Sequence, residues 1–173
     1  MKAWRDPETG ELSLDFEGAE KELLLLSLVD AREHYEADVE TLPEPLQRFW
    51  DGTLSVSGKG ELAEAADDLR DARLGWRPER LSALEKWLAP DGGLVGTPRP
   101  FVLEPEEVDL FFCVLNDRRL TMSALHAVDD ERMETNPAEV DDKDLQRALW
   151  EIHFLAFVME NCLTALEDEG EGG

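Results

Sequence analysis

The residues of this chain with the most specific chemistry to offer are three histidines, two cysteines and one Gly-Lys-Gly segment. A metal ion needs clustered ligands of suitable type. Asp30 and His34 stand four residues apart on one predicted helix face, and so do His126 and Asp130, but the Glu-x-x-His spacing that di-iron bundles place on two helices is absent. The expectation is no metal, no cofactor, and histidines that are satisfied in the interior or exposed. Cys113 and Cys162 lie 49 positions apart in predicted helices with no CxxC, the pattern of ordinary buried thiols in a reducing compartment.

Other signatures of catalysis also fall short. Ser57, Gly58, Lys59 and Gly60 lack the GxxxxGK[ST] frame of a phosphate-binding loop and follow no buried strand, so they read as the start of a helix. Asp141, Asp142 and Asp144 have no central glycine and no glutamate at the twelfth position, which excludes an EF-hand loop and suits the acidic start of a last helix. Gly-x-Ser-x-Gly is missing, and 41 acidic residues guarantee carboxylate pairs by chance. No catalytic residue is assigned and no enzyme is predicted.

What remains is a polar set carried by an apolar segment. Glu104–Val128 predicts one long helix: Pro105 suits the first helical position, and Glu106 and Glu107 put negative charge at the positive end of the helix dipole. Val108, Phe111, Leu115, Met122 and Leu125 recur at spacings of three, four and seven, while Phe112, Leu110, Cys113, Leu120 and Ala124 fill other sides. Such a helix is expected to be wrapped by neighbours on most sides. On a wheel of about 100° per residue, Arg119 and His126 fall in the middle of the apolar arc and Arg118 at its edge. A guanidinium there must reach water along its stem or find a carboxylate. Asn116, Asp117, Arg118, Arg119 and His126 are therefore candidates either for a structural ion pair between helices or for a ligand or partner contact.

The charge balance is unusual: 41 acids against 17 bases give a formal net charge of −24. That field repels phosphate backbones, so no direct nucleic-acid binding is expected, and it suits either a partner with a basic face or a solvated acidic surface in a salty cytoplasm. The 42% of apolar residues belongs to a globular chain, and the run Leu23–Val29 is too short to cross a bilayer. The expected setting is the soluble cytoplasm, without membrane attachment.

The remaining elements must position the candidates. Lys2–Arg5 and Glu11–Phe16 alternate around the turn residues Asp6–Gly10 and predict a hairpin with Trp4, Leu12, Leu14 and Phe16 toward the core. A helix over 18–39 carries Leu24, Leu28, Ala31, Tyr35 and Val39 on one stripe, and Pro45 opens a short helix with Leu46, Phe49 and Trp50. Residues 53–58 predict a loop or weak strand. A polar helix over 59–74 is expected to break at Gly75, with Pro78 starting another that turns Leu81, Leu84 and Leu88 inward, with Trp87 beside them. Phe101, Val102 and Leu103 add a third strand. The last helix, 142–167, shows a stripe of Leu145, Leu149, Ile152, Ala156, Met159, Leu163 and Leu166, and a second face of Trp150, Phe154, Phe157 and Val158. That aromatic face needs a cover, either the hairpin or another copy of the protein in a homodimer. The predicted architecture is mainly α, a single domain over 1–173, built as a five- or six-helix bundle with a small N-terminal β-hairpin and a disordered acidic tail over 167–173.

Leu103–Ala124, LEPEEVDLFFCVLNDRRLTMSA, is similar to the late signature of an actinobacterial-type family, the domain of unknown function family twenty-seventeen. Asn116, Asp117, Arg119 and Leu120 match its Asn-Asp-x-Arg-Leu motif, Phe111 or Phe112 replaces its aromatic, and Ser123 stands where a glycine is common. The opening strand-turn segment, the leucine-rich helix from Glu20, and Trp150, Phe154 and Leu155 of the closing helix also resemble it. The resemblance implies a non-enzymatic regulator of transcription or the stress response that contacts a protein partner, a basic component of the transcription machinery among the candidates. Redox sensing in that branch needs closely spaced cysteines and does not carry over. The alternative is a small-molecule- or metal-binding bundle, possible as an enzyme, in which Arg119, His126 and Asn116 converge.

Overall fold

The computed structural model describes residues 1–51, 61–95 and 99–167, with side chains for all of these but 61–66. Six α-helices and a three-stranded antiparallel sheet make up the described residues. The segment read as a loop or weak strand, the Gly-Lys-Gly segment and the tail from 168 lie outside the described residues, while Glu167 closes the last helix.

The sheet has the order β1 (Lys2–Arg5), β2 (Leu12–Asp15), β3 (Phe101–Leu103). Asp6 builds the hairpin turn by accepting from the backbone N–H groups of Glu8 and Thr9 at 2.8 and 3.1 Å. Gly10 closes it at φ +75°, a conformation in which a side chain is strained. Leu12 and Leu14 face the helices and are fully buried, as predicted. Trp4 is not on that face: it pairs with Ser13, between the two leucines, so the pleat turns it outward, where it is 43% exposed. Phe16 lies beyond the end of β2 and is half-buried.

Helix α1 (Glu20–Glu36) buries Leu24, Leu28, Ala31 and Tyr35, and α2 (Glu44–Asp51) buries Leu46 and Trp50. The predicted break at Gly75 does not occur. A continuous α3 spans Glu61–Leu88 with Pro78 inside it. Proline removes one helical hydrogen bond there, and the turn before it is tied to α1 and α2 by tertiary contacts. Arg73 donates to the Phe49 carbonyl at 2.9 Å. Arg77 Nη2 donates to the carbonyls of His34 and Ala37 at 2.6 and 2.7 Å, satisfying groups that the end of α1 leaves orphaned. The inward residues of the second half are Ala83, Leu84 and Trp87, with Leu81 and Leu88 half-buried. At the end of α3 a Cβ on Gly92 would stand 2.2 Å from the Lys86 carbonyl oxygen, so only glycine fits.

Helix α4 (Pro105–Leu125) begins as the sequence predicts, closed by a capping box between Glu104 and Glu107. Burial pushes the Glu107 carboxyl up, but Lys86, the Glu104 N–H and the Trp87 indole bond it and hold it below its ordinary value. α4 touches α1, α2, α3, β3 and α6. It is not wrapped on most sides, however: Val108, Phe111, Val114, Leu115, Arg118, Thr121 and Met122 form the buried face, while Cys113, Asn116 and Leu120 lie on an open one. Cys113 is thus exposed, against expectation, and Cys162 is buried as predicted, its thiol pushed up to about 12 by desolvation.

A single-turn α5 (Asp130–Met133) and a 3-10 turn (Pro137–Glu139) lead to α6 (Lys143–Glu167). Its buried face is Ala148, Leu149, Ile152, Leu155, Val158, Cys162 and Ala165, rotated from the predicted stripe, so that Leu163 is exposed and Val158 is interior. α6 is long and apolar enough to cross a membrane by length and composition, but those seven residues are packed in the core here. The first two strands both contact α6, and Trp150 stays 56% exposed.

Phe111 meets the rings of Trp87 and Phe101 at 5.5 and 5.8 Å and has no exposed surface. Phe111→Ala is expected to lower unfolding free energy by about 3–5 kcal/mol in chemical denaturation, a loss near zero being incompatible with this core.

Candidate functional site

The buried stripe of α4 places Arg118 seven residues after Phe111, within about 20° of it on the helix, so the guanidinium enters the interior. Only 4% of the side chain is exposed. Its charge is met from two other helices. Nε donates to Glu151 Oε1 at 2.6 Å, and Nη2 to Glu151 Oε2 at 3.2 Å and to Asp30 Oδ2 at 2.8 Å. A planar fork on one carboxylate plus a third bond to another is the arrangement for which arginine is suited. Arg118 thereby joins α1, α4 and α6 at one point.

Above this clasp runs an open apolar groove between α1 and α6, with a cavity volume of 740 Å³. Leu23 and Leu26 of α1 form one wall, and Trp150, Phe154 and Phe157 of α6 the other. Leu23, Leu26, Trp150 and Phe157 are each 42–56% exposed. Spacings of three and four along each helix bring these side chains to one side. Around them Glu20, Asp30 and Glu151 stand with Lys143 and Arg147. Phe154 is half-buried, and Val158, expected on the same face, belongs to the core.

The other predicted residues do not join this groove. Asp117 accepts from the Tyr35 hydroxyl at 2.7 Å and is paired with Arg80 of α3. Burial pushes the Asp117 carboxyl up against the pull of both donors, and it pushes the Tyr35 hydroxyl up as well. Asn116 lies on the open side of α4 in a separate recess. His126 ends α4 and borders a shallow depression shared with His34 and Arg118. Burial holds the His34 imidazole below its ordinary value, and the Arg118 charge adds to that effect. Arg119 is half-buried, with Nη1 3.9 Å from the Met159 sulfur and a buried Nε that bonds nothing.

Arg119, His126 and Asn116 therefore do not converge, and the buried ion cluster belongs to Arg118 instead. The error is one position of helical phase: a wheel centred on Val108–Phe112 favours residue 119, whereas the face that turns inward is centred on Phe111, Leu115 and Arg118. Among the described residues no group of three or more metal-type ligands occurs. Arg73, Arg77 and Arg80 of α3 are not among the site candidates read from the sequence, where Arg73 figures only in the stripe of the polar helix, although their three- and four-residue spacing signals one helix face. No protein-family model, no curated protein and no solved structure gives a match to the chain.

Arg118→Met strands Glu151 without its partner and is expected to cost about 3–5 kcal/mol. Arg119→Met removes a guanidinium with no carboxylate and is expected to stay within about 1 kcal/mol of the parent. Equal losses for the two in urea denaturation would contradict the assignment.

Proposed function

We propose that this chain is a non-enzymatic regulator acting by protein–protein contact, and that it takes an amphipathic helix of a cationic partner protein in the groove between α1 and α6. The observation that carries the reading is the row of large apolar side chains left in water there: Leu23, Leu26, Trp150 and Phe157. A contiguous apolar patch on an otherwise charged surface marks an interaction site, and two walls with anchors at helical spacing suit a helix laid in a groove. The groove's own charges are close to balanced, so the preference for a cationic partner comes from the field of the whole chain, at −24. The same field works against a second copy as the occupant. A basic, nucleic-acid-binding component of the transcription machinery is a partner of this class, in the cytoplasm, and the resemblance of the Asn116–Leu120 motif to a family of regulators supports a role in transcription or stress response. Arg118 is the brace of the groove in this reading and not a contact residue.

The test is the affinity of a labelled amphipathic Leu/Lys helix of about 18 residues at about 0.15 M salt, against a scrambled isomer of equal charge with no apolar face. The expected result is binding at least about tenfold tighter than the isomer, lost by about the same factor in Leu26→Glu and in Trp150→Glu, both at exposed positions. Equal binding of the two peptides, or a dimer in sedimentation that Leu26→Glu dissolves, would overturn the proposal.

A further inference from the structure

Helix α3 carries Arg70, Arg73, Arg77 and Arg80, four of the twelve arginines of a strongly anionic chain, at spacings of three, four and three. Three of the four guanidiniums lie over aromatic rings: Arg73 is 5.7 Å from the Phe49 centroid, Arg77 is 5.2 Å from that of Trp50 and Arg80 is 5.1 Å from that of Trp76. Arg70 is spent on Asp51, and Arg77 on the carbonyls at the end of α1. Arg73 and Arg80 are different, because both line a recess of 220 Å³ where α2, α3 and the open side of α4 meet. We infer that this recess binds a small carboxylate carried on a flat apolar body, a single-ring aromatic acid being the fitting class.

Charge is the first reason. Two guanidiniums face one carboxylate, Asp117, whose Oδ2 is already engaged by both Arg80 and the Tyr35 hydroxyl. One positive charge is left over in a chain whose formal net charge is −24. Arg73 gives one N–H to the Phe49 carbonyl, and a guanidinium has five.

The second reason is an orphaned donor. Trp50 lines the recess and is only 2% exposed, yet its indole N–H is buried without a hydrogen-bond partner. Buried donors are nearly always satisfied, so this one leaves the polar pairing around the recess incomplete. With Asn116 also among its lining residues, the recess offers donors from Arg73, Arg80 and Asn116, which is complementary to a carboxylate.

Shape is the third. Trp76 and Leu120, 43% and 45% exposed, and the ring of Phe49 give the recess apolar surfaces that a bare anion would leave uncovered. The volume suits one ring. The inference is independent of the groove between α1 and α6, which shares none of these residues.

The experiment is a titration of the intact chain with benzoate, read by the nitrogen–proton resonance of the Trp50 indole and by calorimetry, with inorganic phosphate as the second arm. The expected result is a saturable shift of that resonance with a Kd at or below about 1 mM, and phosphate weaker by about tenfold or more. Arg73→Gln should weaken benzoate by about tenfold. Asn116→Asp, at an exposed position, places a like charge in the recess and should weaken it similarly, which keeps the test sharp if Arg73→Gln unfolds. Absence of a saturable shift at about 10 mM benzoate would refute the site, as would parent-like affinity in Asn116→Asp. Phosphate binding as tightly as benzoate would remove the flat body from the inference.

Discussion

A guanidinium with almost no access to water fixes how three helices of this protein stand. The charge of Arg118 is met in the interior by Glu151 and Asp30, and these carboxylates sit on α6 and α1. Rotating or sliding either helix by one residue would leave a buried charge unpaired, which costs more than most single packing defects. The interaction therefore acts less as a source of net stability than as a constraint on arrangement. α1 and α6 are also the two walls of the apolar groove, and Asp30 and Glu151 line it together with Leu26 and Trp150.

The same economy of cations recurs on the other flank. In a chain with 17 basic residues, Arg73, Arg77 and Arg80 are used inward, holding α3 to α2, α1 and α4 through carbonyls, a carboxylate and aromatic faces. Adjacent positions on α4 serve both flanks: Asp117 answers Arg80, and Arg118 answers Glu151. Drawing positive charge into such contacts leaves acids to dominate the exterior, which is the condition for attracting a cationic partner.

The parts of this design that rest on local chemistry are legible in the sequence. Asp6 and Gly10 announce the hairpin, Pro105 with Glu107 the start of α4, and the alternation at Leu12 and Leu14 the inner face of the sheet. Parts that depend on partners distant in the chain are not. Gly75 and Pro78 read as a break because nothing nearby shows that Arg77 will find the end of α1. Arg118 and Arg119 differ by a single step of helical phase, and only the positions of Asp30 and Glu151 decide between them. On α6 the sequence displays more apolar surface than one neighbour can cover. The part that stays in water is Trp150 and Phe157, and nothing in the local pattern of α6 singles these two out.

The central claim is that Arg118 and Glu151 act as one unit across α4 and α6, and the most direct test is a double-mutant cycle of Arg118→Met and Glu151→Leu in urea unfolding. A coupled pair predicts an interaction energy of about 2 kcal/mol or more, with the double variant more stable than the sum of the single losses implies. Additivity within about 0.5 kcal/mol would mean that the two residues do not hold the helices together, and the account of the groove would fall with them.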